Sequence, residues 1–118
     1  MEYKPLIRID LRKNRIVLTK KSLRDIGSPD YIILLVDPEE RTLSVMKSDI
    51  TVRQAHRIRK TDSTEVELYS KGLLEALRGI CADWRENCAY RIYGKIVSGG
   101  EAIKFHIDDS EPTNGKKE

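Results

Sequence analysis

Aromatic side chains are scarce in this chain. Phe, Trp and Tyr make up 6% of its 118 residues, with one Trp (Trp84) and one Phe (Phe105), so any core must be largely aliphatic. There are two cysteines, Cys81 and Cys88, and two histidines, His56 and His106. The six residues between the cysteines fit neither a zinc pair nor a redox CxxC motif. The histidines lie far apart in sequence, so no metal or other cofactor is expected. The cysteines read instead as a small buried residue and a partly exposed thiol in a reducing compartment. No apolar run approaches the roughly 20 residues of a membrane helix. The first ten residues, MEYKPLIRID, lack the basic-then-apolar order of a signal peptide. The expectation is a cytoplasmic protein without a membrane role. Also missing are a nucleophile, an acid–base pair and a phosphate loop. Gly99-Gly100 reads as a hairpin turn, and Ser22 and Ser70 as helix starts. No catalytic residue is expected, and the chain is not expected to be an enzyme.

Charge is abundant. Charged residues make up 35% of the chain against 39% hydrophobic, enough apolar material for one core beneath a heavily charged surface. The net charge of +3 is unevenly spread. Residues 1–60 hold 14 Lys/Arg against 8 Asp/Glu, and residues 61–118 hold 8 against 11. A basic half beside an acidic half points to an anionic partner for the first half only.

The chain reads as one motif used twice. Ile16, Leu18, Lys21 and Leu23 match Val66, Leu68, Lys71 and Leu73 at a spacing of fifty. Ile32, Val36, Leu43 and Val45 match Ile92, Ile96, Ile103 and Phe105 at a spacing of sixty. Two copies are too few for a solenoid but suit a closed pseudo-symmetric unit. The expected fold is α+β and β-rich: a pseudo-two-fold β-barrel of two strand–helix–hairpin repeats, swapped-hairpin-like. A single domain is expected over residues 1–107, with half one at 5–47, a basic linker at 48–64 that crosses between the halves with a short strand or a helical turn, and half two at 65–107. Residues 108–118, which contain no apolar side chain, read as a disordered tail.

Local signals give the elements. Ile7, Ile9 and Leu11 alternate with Arg8 and Asp10, a half-buried strand. A polar turn follows, where Asn14 suits a positive φ. Thr19 is the candidate cap of a short helix that Gly27 and Pro29 end. The run Tyr31 to Val36 reads as a strand covered on both faces, and Thr42 to Met46 returns beside it. In half two, Leu73, Leu77, Ile80 and Trp84 form one helix face capped by Ser70. Tyr90 to Val97 and Glu101 to Ile107 form the last hairpin.

Asn14–Thr19, Leu23–Gly27 and Tyr31–Met46 together resemble the swapped-hairpin barrels of AbrB-type and MraZ-type regulators, the SpoVT-AbrB type. About forty residues match well and the second half matches loosely. The chain has Asn14 where that family usually has Gly, and Thr19 where it usually has Pro. The resemblance implies two interlocked halves, from a homodimer or from two pseudo-equivalent halves of a monomer, and DNA contact through basic residues near the first turn and helix. The second half is also similar to small uncharacterised proteins of phages and mobile elements.

The basic residues themselves point to double-stranded DNA, and the resemblance implies a role in transcription regulation. Arg8, Arg12, Lys13, Arg15, Lys20, Lys21 and Arg24 cluster around one turn and one helix start, expected at the same end of the barrel. Arg53, Arg57, Arg59 and Lys60 add a second basic stretch, with His56 read as part of it. Lysines and helix N-terminal amides would meet phosphates, and Arg15 or Arg24 would read guanine edges. The alternative is a phage or mobile-element module that binds a host protein or nucleoprotein, such as an antitoxin or an inhibitor of a defence complex.

Overall fold

The structure is a computed structural model that describes residues 4–59 and 61–113. In chain order it contains β1 (Leu6–Asp10), β2 (Arg15–Thr19), α1 (Lys20–Arg24), β3 (Tyr31–Asp37), β4 (Thr42–Ser48), β5 (His56–Arg57), β6 (Glu65–Leu68), α2 (Lys71–Ile80), β7 (Ala89–Val97), β8 (Ala102–His106) and β9 (Glu111–Pro112). The described strands form one antiparallel sheet in the order β5-β3-β4-β8-β7-β1-β2-β6, with β9 on β7. The sheet curls into a nearly closed barrel, so the fold is α+β and β-rich.

The register carries the internal two-fold. Where β4 meets β8, Leu43 stands opposite Phe105 and Val45 opposite Ile103. These are the residues that repeat at a spacing of sixty, so the axis exchanges the two pairs. Where β2 meets β6, Ile16 faces Leu68 and Leu18 faces Val66, which the spacing of fifty exchanges in the same way. Each half therefore supplies edges that the other half completes.

The local signals act as read. Thr19 Oγ1 accepts the Ser22 amide at 3.1 Å, and Ser70 Oγ accepts the Leu73 amide at 3.3 Å. Asn14 takes φ 53° in the first turn. Ile7, Ile9, Ile16, Leu18, Ile32, Leu43, Val45, Ile92, Ile103 and Phe105 point inward and are fully buried, and Leu73, Leu74 and Leu77 of α2 join that core.

Three expectations need correction. Tyr31 to Val36 is not covered on both faces. Ile32 is buried, with Leu34 and Val36 packed against the core, whereas Leu35 is 49% exposed. A single-walled barrel leaves the outer face of this strand to solvent, and an apolar run does not distinguish one cover from two. Trp84 lies beyond α2, which ends at Ile80. Its ring stacks on Tyr90 with centroids 4.5 Å apart, and its Nε1 donates to Ser110 Oγ at 3.2 Å. Of the two alternatives left for the linker, a short strand or a helical turn, the strand is formed: β5 pairs with β3 through Tyr31↔Arg57 and Ile32↔His56. The tail is placed through Thr113, because Glu111 and Pro112 pair with Arg91 and Tyr90 and Glu111 accepts from Arg91 Nε at 3.0 Å. The rest of that tail, 114–118, lies outside the described residues.

Candidate nucleic-acid interface

The basic residues divide into two groups at opposite ends of β2. Asp10 pairs with Arg15 at one end of the β1–β2 hairpin and Ile7 with Leu18 at the other. Arg12 and Lys13 occupy the turn. Lys20, Lys21 and Arg24 lie on α1, beyond Thr19. At about 3.3 Å per residue, the intervening strand separates the groups by roughly 13–17 Å. They do not share one end of the barrel, because a single extended strand carries the chain from one end to the other.

The arginines at the turn end of β2 are neutralised from within, while the Lys13 side chain is exposed. Asp10 is fully buried. Its carboxylate accepts the Arg12 and Lys13 amides at 3.0 and 3.3 Å and the Arg12 guanidinium at 3.2 and 3.3 Å. Arg15 donates to Glu67 at 2.6 Å, with its Nε 3.7 Å from Asp10. Arg8 lies 3.5 Å from Glu65. The acidic first strand of half two thus lies against the basic first strands of half one. That partnership was missed in sequence, although a two-fold pairing of β2 with β6 places Glu67 beside Arg15 as a matter of register.

Asp10 also carries a stability prediction. Burial pushes its carboxyl up, but the Arg12 guanidinium and the two amides outweigh this and hold it below the ordinary 3.8. A depressed folded value stabilises the fold above the unfolded value, and that contribution is lost as pH falls through the folded one. Asp10→Asn is expected to cost about 1.5–3 kcal/mol at neutral pH, the scale of hydrogen bonds to a charged group. The variant should also lose less stability than the wild type between about pH 5 and pH 3. Urea titrations at both pH values check this; parallel losses would remove Asp10 from the acid response.

The second group is assembled by the fold. Lys20, Arg24 and Arg59 line a cleft of ≈ 290 Å³ whose floor is Leu23, Pro29 and Ile58. Arg57 and Arg59 line the adjoining groove beside Tyr31. Ile58 anchors this segment through its amide, which donates to the Asp30 carbonyl at 2.8 Å. The Lys20 ammonium donates to the Thr61 carbonyl. Among the described residues, Lys20, Arg24, Arg53, Arg57 and Arg59 have no carboxylate within ion-pair distance. Lys21 is exposed on α1, and Lys60 lies outside the described residues.

Two sequence expectations for this region change. His56 does not add to the positive field: it is half-buried, and burial pushes its pKa down from 6.5, so it is neutral at neutral pH. The amides of α1 are not an anion cradle. Ser22 N is capped by Thr19 and Lys20 N donates to the Thr64 carbonyl at 2.9 Å. Sequence reasoning also passed over Lys95 and Lys104, which stand opposite one another on β7 and β8 above a groove that contains Lys4, Asp108 and Glu111 as well. Cys81 is buried, and burial pushes its thiol up to about 11, which leaves it unreactive.

No family model, curated protein or solved structure matches this chain.

Proposed function

We propose that the face built by α1 and β5 binds double-stranded DNA, and that the chain acts as a transcription regulator in the cytoplasm. One observation carries the reading. Lys20, Arg24, Arg57 and Arg59 come from two segments far apart in sequence, converge on adjoining clefts and have no carboxylate partner among the described residues. The arginines of the first turn, by contrast, are held by Asp10 and Glu67. The resemblance to AbrB-type and MraZ-type regulators supports the same reading. Because both halves of the barrel lie in one chain, a monomer is the favoured binding unit, with a homodimer as the alternative.

Phosphate contacts release condensed counterions, so log affinity falls with log salt at a slope near −0.9 per contact. Replacing Lys20, Arg24, Arg57 and Arg59 with Ala should flatten the slope by up to about 3.6 units and leave the fold intact, since exposed charges contribute little to stability. Arg12→Ala should leave the slope unchanged, because that guanidinium is already held by Asp10. Salt titrations of duplex binding measure both. Absence of wild-type binding at low salt would remove the hypothesis.

A different surface favours a second reading, a protein-binding module of the phage or mobile-element kind. On the outer face of the barrel Ile33 stands opposite Met46 and Leu35 opposite Ser44, with Leu35 half-exposed. Recovery of a partner from host lysate after nuclease treatment would favour this reading over DNA.

A further inference from the structure

The internal two-fold makes β5 the counterpart of β1. β1 pairs with β7 on one side and β2 on the other. β5 pairs with β3, the counterpart of β7, but its other side is not hydrogen-bonded to β6, the counterpart of β2. Carrying the β1–β2 register across the axis sets Arg57 opposite Glu67 and Arg59 opposite Glu65. In the structure these residues face one another across a cleft of ≈ 280 Å³.

Two substitutions, and a connection one residue longer (60–64 against 11–14), set this seam apart from the β1–β2 pair. The β1–β2 turn is held by Asp10, which accepts two turn amides. The residue in its place, two beyond the end of β5, is Arg59, which has no acceptor to offer. Ile7, fully buried, is matched by His56, which is only half-buried. The β5–β6 hairpin therefore lacks both its turn clamp and one apolar anchor. What it has instead is complementary charge at both facing positions.

We propose that this seam is a latch that regulates the basic face. When β5 closes on β6, Arg57 and Arg59 are held by Glu67 and Glu65. When it is open, both arginines are available to an anionic partner. The regulatory meaning rests on the reading that these arginines meet DNA phosphates; the closure itself does not. Glu65 and Glu67 are already shared with Arg8 and Arg15 at 3.5 and 2.6 Å, so closure adds a second cation to each carboxylate. That makes closure weak enough for a polyanion to reverse.

Hydrogen–deuterium exchange of the full chain at low salt tests closure without DNA. The decisive variant is Arg57→Gln/Arg59→Gln, which leaves the pairs of Arg8 and Arg15 in place. The β6 amides that point away from β2, those of Glu65 and Glu67, should exchange roughly two- to five-fold faster than in the wild type, the range expected for exposed ion pairs. High salt should bring the wild type to the same rate. Equal rates at low salt overturn the latch. The regulatory arm is duplex affinity: Glu67→Gln should raise it by about two- to five-fold, and the gain should vanish when Arg57→Gln is also present. A gain that survives Arg57→Gln comes from a freed Arg15 and overturns the regulatory role. Failure of the wild type to bind duplex defeats the DNA reading, while the exchange measurement still decides whether the latch closes.

Discussion

Phe105→Ala is expected to cost about 3–5 kcal/mol, the range for truncating a fully buried Phe. The ring has no solvent exposure. It lies where β4 meets β8, opposite Leu43, in the strand pair through which the two-fold axis runs. Part of its wall is the backbone of Gly94 in the hydrogen-bonded strand β7, which has little freedom to move into the space left behind. Against a typical total stability of about 5–15 kcal/mol, one truncation removes a large share of the whole. Denaturant titration with an unchanged m-value would measure it as a loss of stability and not of compactness. A loss below about 1 kcal/mol would mean that the ring contributes little to the core.

The two-fold was legible because core-facing residues repeat. Ile16 and Val66, Leu18 and Leu68, Leu43 and Ile103, Val45 and Phe105 all point inward, and a closed barrel demands an apolar residue at each position. The capped helices were legible for a similar reason, since Thr19 and Ser70 act on amides three residues away and need no tertiary context. Coverage of an outer surface was not legible. Leu35 belongs to the same apolar run as Ile32, yet only the complete sheet decides which face another layer covers. β5 was only faintly legible, as one of two alternatives for the linker, because its pattern is damaged. His56 stands where the first half has Ile7, and Arg59 where it has Asp10, so the segment read as a basic linker.

The candidate interface was half legible. That cations crowd the first sixty residues follows from counting. Which of them are unpaired depends on contacts at long sequence separation. Arg15 and Glu67 are 52 residues apart, on two strands that only the barrel brings together. Arg24 and Arg59 share a cleft for the same reason. A strand also carries direction, and β2 separates the turn from α1, a separation that sequence adjacency concealed.

Gly94→Ala is the second change expected to have a large effect. β7 changes neighbours at this residue: Tyr93 is the last to pair with β1, at Leu6, and Gly94 the first to pair with β8, at Phe105. A Cβ here would lie 2.6 and 2.7 Å from two carbons of the Phe105 ring and 2.8 Å from the Lys104 carbonyl oxygen. The ring is enclosed and the carbonyl belongs to a strand, so neither yields cheaply. Overpacking of this kind costs about 1–3 kcal/mol and occasionally more. The other half explains why glycine is here. Across the two-fold the pair Gly94↔Phe105 becomes Leu34↔Val45: one half uses a medium side chain from each strand, the other a large one against none. Gly94→Leu combined with Phe105→Val would rebuild the first half's pair in the second. Gly94→Leu alone should be severely destabilising, and the double variant should lose less than the two single losses added, with a coupling of about 0.5–3 kcal/mol for residues in direct contact. A thermodynamic cycle from denaturant titrations of the four proteins measures that coupling. Strict additivity would mean that Gly94 is required by the Lys104 backbone and not by the ring.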